Sequence, residues 1–290
     1  MIVARLKAAT KRVFGLLPPR RELVIAPDDV FLVSFPKSGN TWTRFLIANL
    51  VHPERPADFG NIHLLVPDPY ATAKRDFDRM PGPRIIKSHE CFDPRYPRVI
   101  YIVRDPRDVL VSQYHYHRKC RRIADDYPME KFVARFLAGE TCPHGSWGEN
   151  VATWLTARNG DPRFLLLRYE DMVADTARQL AQVAAFLGVS ATPQQLSQAV
   201  ERSSVGPMRE LEKAQSDLCG LTKETRQDLS FVRTGKAGGW TSELDEALAA
   251  EIEDAWAPLM NHLGYELSSP PRLQSKDFGS VGVLLNGMRP

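Results

Sequence analysis

Residues 30–42, VFLVSFPKSGNTW, constrain this chain more than any other stretch. Val30-Phe31-Leu32-Val33 is an apolar, β-rich run of the kind that forms a parallel strand buried on both faces. It stops at Ser34-Phe35-Pro36, passes through Lys37-Ser38-Gly39-Asn40-Thr41, and enters a helical pattern over residues 42–50. A strand, a short turn with one glycine and a helix start aim several backbone N–H groups at one point. The helix dipole adds partial positive charge, Lys37 adds a full one, and Ser38, Asn40 and Thr41 add side-chain donors. A phosphate-sized dianion suits such a junction. The bland alternative is an ordinary connection with a surface lysine.

The same unit recurs. Arg98–Val103 reads as a strand running into Arg104-Asp105-Pro106-Arg107-Asp108, with Asp105 at the N-cap position and Pro106 first in the helix. Residues 84–87 form a short strand ending at Ser88-His89-Glu90. Residues 163–168 form another buried strand, followed by Tyr169 and a helix stopped at Gly188. Further helices fit residues 129–138 and 147–157, one starting at Thr192-Pro193, and a long one from a Ser242 cap to His262, interrupted near Pro258. Residues 51–83 read as a long excursion, residues 203–230 as irregular or short helix, and Phe231 to Trp240 as a glycine-rich basic loop. The pattern predicts one α/β domain over residues 28–265, with a mostly parallel sheet of four or five strands and helices on both faces. Residues 1–27 precede it as a helix and lead-in, and residues 266–290 follow as a tail.

At 290 residues, 43% of them hydrophobic, the chain can bury a sizeable core. A formal net charge of only +3 gives no bulk pull toward nucleic acid. Four scattered cysteines argue against a disulfide framework and for a reducing, cytoplasmic setting. No apolar run reaches membrane-spanning length, and no leader peptide is evident. Residues 1–17 can form a basic amphipathic helix, which is expected to dock on the domain; weak contact with a membrane surface is the alternative.

Ligands of such sheets bind at the carboxyl ends of the strands. Four segments bring positive charge there: Lys37 with its loop; Lys87 and His89; Arg104 with Ser112 two helical turns on; and Arg233, Gly235 and Lys236. That distribution suits a ligand with anionic groups at two separated points. The first loop is not the nucleoside-triphosphate loop, in which the lysine follows a second glycine. Asp105 reads better as a cap than as a magnesium ligand, so a metal-free phosphate ester fits better than a magnesium triphosphate. His115, His117, Cys120, Cys142 and His144 are zinc-ligand types, but His115 and His117 cannot share a helix face, and no metal site is expected.

Phe35 to Trp42 resembles the 5′-phosphosulfate loop of the cytosolic-type sulfotransferases, which use 3′-phosphoadenosine 5′-phosphosulfate (PAPS). Tyr101 to Ser112 resembles their 3′-phosphate segment, Lys87-Ser88-His89 their Lys-x-His catalytic pair, and Leu167 to Met172 the segment whose tyrosine reaches adenine. Phe231 to Gly235, with Gly238 and Trp240, is similar to their C-terminal glycine loop. The likeness runs in order from about Asp28 to Tyr265. It implies that Lys37 stabilises the departing phosphate and that residues 38–41 hold the 5′-phosphate. Arg104, Ser112 and Arg233, with Thr234 and Gly235 beside it, would hold the 3′-phosphate. Trp42, Tyr169 and Ser203 would hold adenine. His89 would be the general base and Lys87 would neutralise the sulfuryl oxygens, with direct in-line transfer to a hydroxyl or amine and no metal. The product would be adenosine 3′,5′-bisphosphate (PAP). The chain departs from the family at Val205, where an aromatic is common, and at Thr234, where a lysine is common and Lys236 is the nearest substitute.

The resemblance leaves the acceptor open among small molecules, lipids and glycans. Its pocket is expected from residues 61–83, 114–148 and 217–230, whose aromatics Tyr70, Phe77, Tyr114 and Trp147 hint at an apolar guest. The family's C-terminal dimerisation signature is not evident, which leaves the oligomeric state open. A nucleotide-dependent phosphotransferase and a non-catalytic nucleotide-binding module are the competing readings.

Overall fold

The computed structural model describes residues 23–218 and 222–268. The N-terminal helix expected over residues 1–17 and the tail beyond Ser268 lie outside the described residues. In chain order the elements are β1 (Val30–Ser34), α1 (Asn40–Val51), α2 (Ile62–Leu65), α3 (Lys74–Arg79), β2 (Ile85–Ser88), β3 (Arg98–Val103) and α4 (Pro106–Lys119). Then come α5 (Met129–Leu137), α6 (Trp147–Arg158), β4 (Phe164–Arg168), α7 (Tyr169–Ala174), α8 (Thr176–Leu187), α9 (Pro193–Arg202), α10 (Val205–Ala214) and α11 (Glu246–His262).

The four strands form one all-parallel sheet in the order β2-β1-β3-β4. Alternation along β1 and β3 sends side chains to opposite faces. Phe31, Val33, Val99, Tyr101 and Val103 meet α4, α5, α6 and α11 on one side. Val30, Leu32, Ile100 and Ile102 meet α1, α8 and α9 on the other. Helices on both faces explain why these strands read as unbroken apolar runs. β4 departs from that reading: it is an edge strand, and its Leu166 is 37% exposed.

Several element ends differ from the sequence expectation for local reasons. Residues 51–83 contain the short helices α2 and α3, too brief to show a period. The helix expected from Tyr169 to Gly188 breaks at Asp175, which leaves α7 and caps α8 by accepting from Arg178 N. Asp245, not Ser242, caps α11, accepting from Leu248 N. Its interruption falls at Trp256, two residues before Pro258, as expected where a proline ring displaces the preceding turn. No helix among the described residues is long and apolar enough to cross a membrane.

Candidate active site

The strand order reverses between β1 and β3, so the loops leaving those two strands are neighbours at the carboxyl edge of the sheet. A cavity of about 530 Å³ opens there. Apart from Ser38 and Lys236, the residues singled out from the sequence to bind the donor or act in catalysis line it.

In the β1 junction, Lys37 (φ 73°) and Gly39 (φ 98°) both take left-handed backbone conformations. That costs a lysine about 1–2 kcal/mol and glycine nothing. Gly39 is needed for a second reason, because a Cβ there would lie 2.6 Å from the Tyr169 ring. Gly39 is also the N-cap of α1 and offers no side-chain cap. The first N–H groups of α1 are therefore left without the partner an Asp or Ser cap would give. Beneath them the fully buried Ser38 Oγ has no hydrogen-bond partner. The Asn40 amide is not a ligand donor as the sequence suggested: its Nδ2 bonds the Leu32 carbonyl (3.3 Å) and Ser34 Oγ (3.2 Å), pinning the turn to β1.

The Lys37 ammonium lies 4.5 Å from the ring centres of both Tyr116 and Phe231. It has no ion-pair partner among the described residues. Burial, followed by the charge of Arg104, pulls its pKa down to about 8. A buried cation without a carboxylate is an electrostatic deficit that an anion relieves.

At the end of β2, His89 Nδ1 sits 2.7 Å from the Ser34 carbonyl oxygen, which can only accept. Nδ1 therefore carries the proton, and Nε2 keeps its lone pair. Burial, then the charges of Lys87 and His144, hold the His89 pKa well below the ordinary histidine value. The ring is thus neutral at neutral pH, with its one proton on Nδ1. Lys87 pairs with Asp68 at 2.5 Å. Although burial opposes it, the Lys87 charge holds the Asp68 carboxyl down to about 2.

At the end of β3, Arg104 is buried and reaches three elements. It donates to the Lys37 carbonyl (3.4 Å) and the Lys236 carbonyl (3.1 Å), and its guanidinium stacks 4.2 Å from the Tyr169 ring centre. Its Nε has no partner. Tyr169 in turn meets Trp42 edge-to-face at 5.7 Å. Ser112 lies on the α4 face toward the cavity, and Ser203 Oγ accepts from Asn49 at 3.0 Å.

The glycine loop closes over this junction. Asp108, fully buried, accepts from Gly238 N (2.8 Å) and Trp240 N (3.0 Å) and lies 3.4 Å from Arg104. Arg233 reaches the cavity while paired with Glu243. Lys236 does not replace the lysine absent at Thr234: it is exposed, it does not line the cavity, and only its carbonyl joins the cluster. Val205 lines the cavity against Gly235, where a Cβ would come within 2.4 Å of it.

Sequence reasoning missed Asp68, Asp108 as the loop's clamp, Ser34 as the holder of His89, and Tyr116. Tyr116 had a signal, since it lies four residues after Ser112 on the same helix face. Asp68 had none. The expected acceptor wall is corrected too: residues 61–83 and the described residues of 217–230 do not line the cavity. Phe77, Tyr114 and Trp147 are core, and Tyr70 is at the surface bonded to Glu90. Of the zinc-type histidines, His115 turns to Glu243 while His117 faces the cavity.

The sulfotransferase domain family model matches residues 27–264. Sulfotransferase 2A6 of Rattus norvegicus is 30% identical over 251 residues, covering 82% of this chain and 87% of that protein. Cytosolic sulfotransferase 12 of Arabidopsis thaliana is 27% identical over 277 residues, covering 88% and 84%. The crystal structure of mouse sulfotransferase SULT7A1 complexed with PAP superposes with a TM-score of 0.64 at 26% identity, covering 81% of this chain and 86% of that one. With the family model spanning nearly the whole described body, this chain belongs to the cytosolic-type sulfotransferases, the enzymes that depend on PAPS.

Proposed function

We propose that the chain moves the sulfuryl group of PAPS directly to a hydroxyl or amine of a small-molecule or glycan acceptor, with His89 as general base and no metal. One observation carries the reading: a neutral histidine, its proton fixed on Nδ1 by the Ser34 carbonyl, shares a cavity with Lys37 and Lys87. The alternative phosphotransferase and non-catalytic readings have no such observation behind them.

The residues present fit the donor. Partnerless Ser38 Oγ and Arg104 Nε are buried groups that an anion would satisfy, and the uncapped N-terminus of α1 suits the 5′-phosphate. Ser112 and Arg233 suit the 3′-phosphate together with Arg104; Thr234 and Gly235 shape that end. Trp42, Tyr169 and Ser203 suit adenine. When bound, the donor supplies an activated sulfuryl group. His89 takes the acceptor's proton at Nε2, and Ser34 holds the ring in that tautomer. Lys87, paired with Asp68, sets positive charge beside the base; Lys37 stabilises negative charge on the leaving phosphate. A cytoplasmic setting accords with the cytosolic relatives.

The test is PAP release from PAPS and an alcohol acceptor in the presence of EDTA. His89→Ala is expected to lower kcat by about 10²–10⁴ while PAP affinity in calorimetry stays unchanged. Equal turnover by the variant would remove His89 from the reaction, and loss of wild-type activity in EDTA would reinstate a metal.

A further inference from the structure

The end of the cavity away from the adenine cluster has an unusual lining. Gln113 and His117, four residues apart, present one face of α4 to it, and Thr141 approaches from the loop after α5. All three are at most 6% exposed. Yet Gln113 Oε1, His117 Nδ1 and Thr141 Oγ have no hydrogen-bond partner. Isolated buried polar atoms are rare in folded proteins, and three at one cavity wall are rarer. Burial, then the charge of Arg122, outweigh a hydrogen bond from the ring to the Thr141 backbone and hold His117 down to about 4, so the ring is neutral at pH 7 and its partnerless Nδ1 can hydrogen-bond but not charge-pair.

At the rim stands Arg122, which lines both this cavity and an adjoining open one of about 480 Å³. Around the second cavity four arginines face two aspartates. Arg118 and Arg226 hold Asp125, and Arg226 also holds Asp228. Arg121 and Arg122 have no ion-pair partner among the described residues. The same wall continues to His144, whose ring centre lies 5.6 Å from that of His89, so this polar end adjoins the base.

Resting on the sulfotransferase reading, we infer that the acceptor is a polyol carrying an acid group, its hydroxyls bound by Gln113, His117 and Thr141 and its anion by Arg122. A neutral apolar alcohol would leave the three buried atoms unsatisfied and the rim charge unused. An acidic sugar satisfies both, because its ring hydroxyls each donate and accept, and its carboxylate matches a guanidinium fork.

The experiment compares kcat/KM, from PAP release, for methyl glucoside, the matching methyl glucuronide and androsterone. The glucuronide is expected to exceed the glucoside by about tenfold or more. Arg122→Gln should collapse that ratio to near unity. Thr141→Val, which removes an unsatisfied hydroxyl and keeps the shape, should raise KM for the glucuronide several-fold while leaving Tm unchanged or higher. A merely structural threonine would instead lower Tm and leave KM alone. Preference for androsterone, or a glucuronide preference that survives Arg122→Gln, overturns the assignment. Turnover of none of the three by a chain that binds PAP overturns the acceptor class and leaves the donor reading standing. Failure to bind PAP overturns both.

Discussion

The junctions after β1 and β3 have the same architecture and opposite chemistry. Both are strand, short turn and helix at adjacent positions on one sheet edge. After β1 the N-cap is a glycine with no side-chain bond, the helix's first N–H groups go uncapped, and Lys37 stands without a carboxylate. After β3 the Asp105 side chain caps α4, Pro106 removes one orphan N–H, Arg107 is held by two carboxylates and Arg104 faces Asp108. Arg107 forks onto Asp105 (3.0 and 2.6 Å) and reaches Glu253 on α11 at 2.5 Å. On the proposed reading, the N-terminus of α1 is open to an anion because the chain withholds its own acid there. The β3 junction contributes to the site through Arg104 alone.

The largest effect that would sharpen this contrast comes from Asp105→Ala. It removes the α4 cap, worth about 1 kcal/mol, and strands a buried Arg107, for which losing a partner costs about 3–5 kcal/mol. Denaturant unfolding should show a loss of about 3 kcal/mol or more, with Glu253 softening part of it. PAP affinity, measured where the variant is still folded, should stay near wild type. If PAP binding collapses while stability holds, the β3 junction is a ligand site after all.

The contrast also shows what a sequence can and cannot disclose. The Asp105 cap, the Pro106 start and both strand ends were legible because capping and strand burial act within a few residues. The cluster of Lys37, Lys87, His89, Arg104 and Arg233 was legible because parallel strands must deliver their loops to one edge. Asp68 lies in a stretch with no period, and only the fold sets it against Lys87, nineteen residues on. Asp108 lies in the first turn of α4, where an acid favours a helix start, yet its carboxylate accepts from the backbone N–H groups of Gly238 and Trp240, about 130 residues away. Lys236 looked like a phosphate ligand because its type and neighbours fit; the loop turns its side chain out and its carbonyl in. Tertiary bonds to backbone N–H groups leave no trace in residue spacing.

A middling effect is expected from Arg104→Ala. Loss of a charge-assisted contact should weaken PAP by about 1.5–3 kcal/mol in calorimetry. Arg104→Lys should recover part of that, since it keeps the charge but not the fork. The competing reading makes Arg104 a strut joining the Lys37 and Lys236 carbonyls. A strut would show as a fall in Tm with PAP affinity unaltered.

The smallest effect is the one that tests the open junction most directly, because it separates stability from binding by sign. Lys37 has its folded pKa lowered from 10.5 to about 8 by burial and by Arg104. A lysine depressed on folding destabilises the ligand-free protein wherever the unfolded chain would hold the proton. That penalty is complete below pH 8 and fades as the pH rises from 8 toward 10.5. Binding runs the other way. A bound dianion favours the charged lysine, so PAP affinity is full below pH 8 and falls above it by at most about tenfold per pH unit. Titrating PAP from pH 7 to 9.5 should thus show affinity declining while the unliganded protein's stability from this group increases. Lys37→Met should flatten both trends. Parallel movement of the two quantities, or a slope that persists in the variant, would mean that the uncapped junction is not where the anion sits.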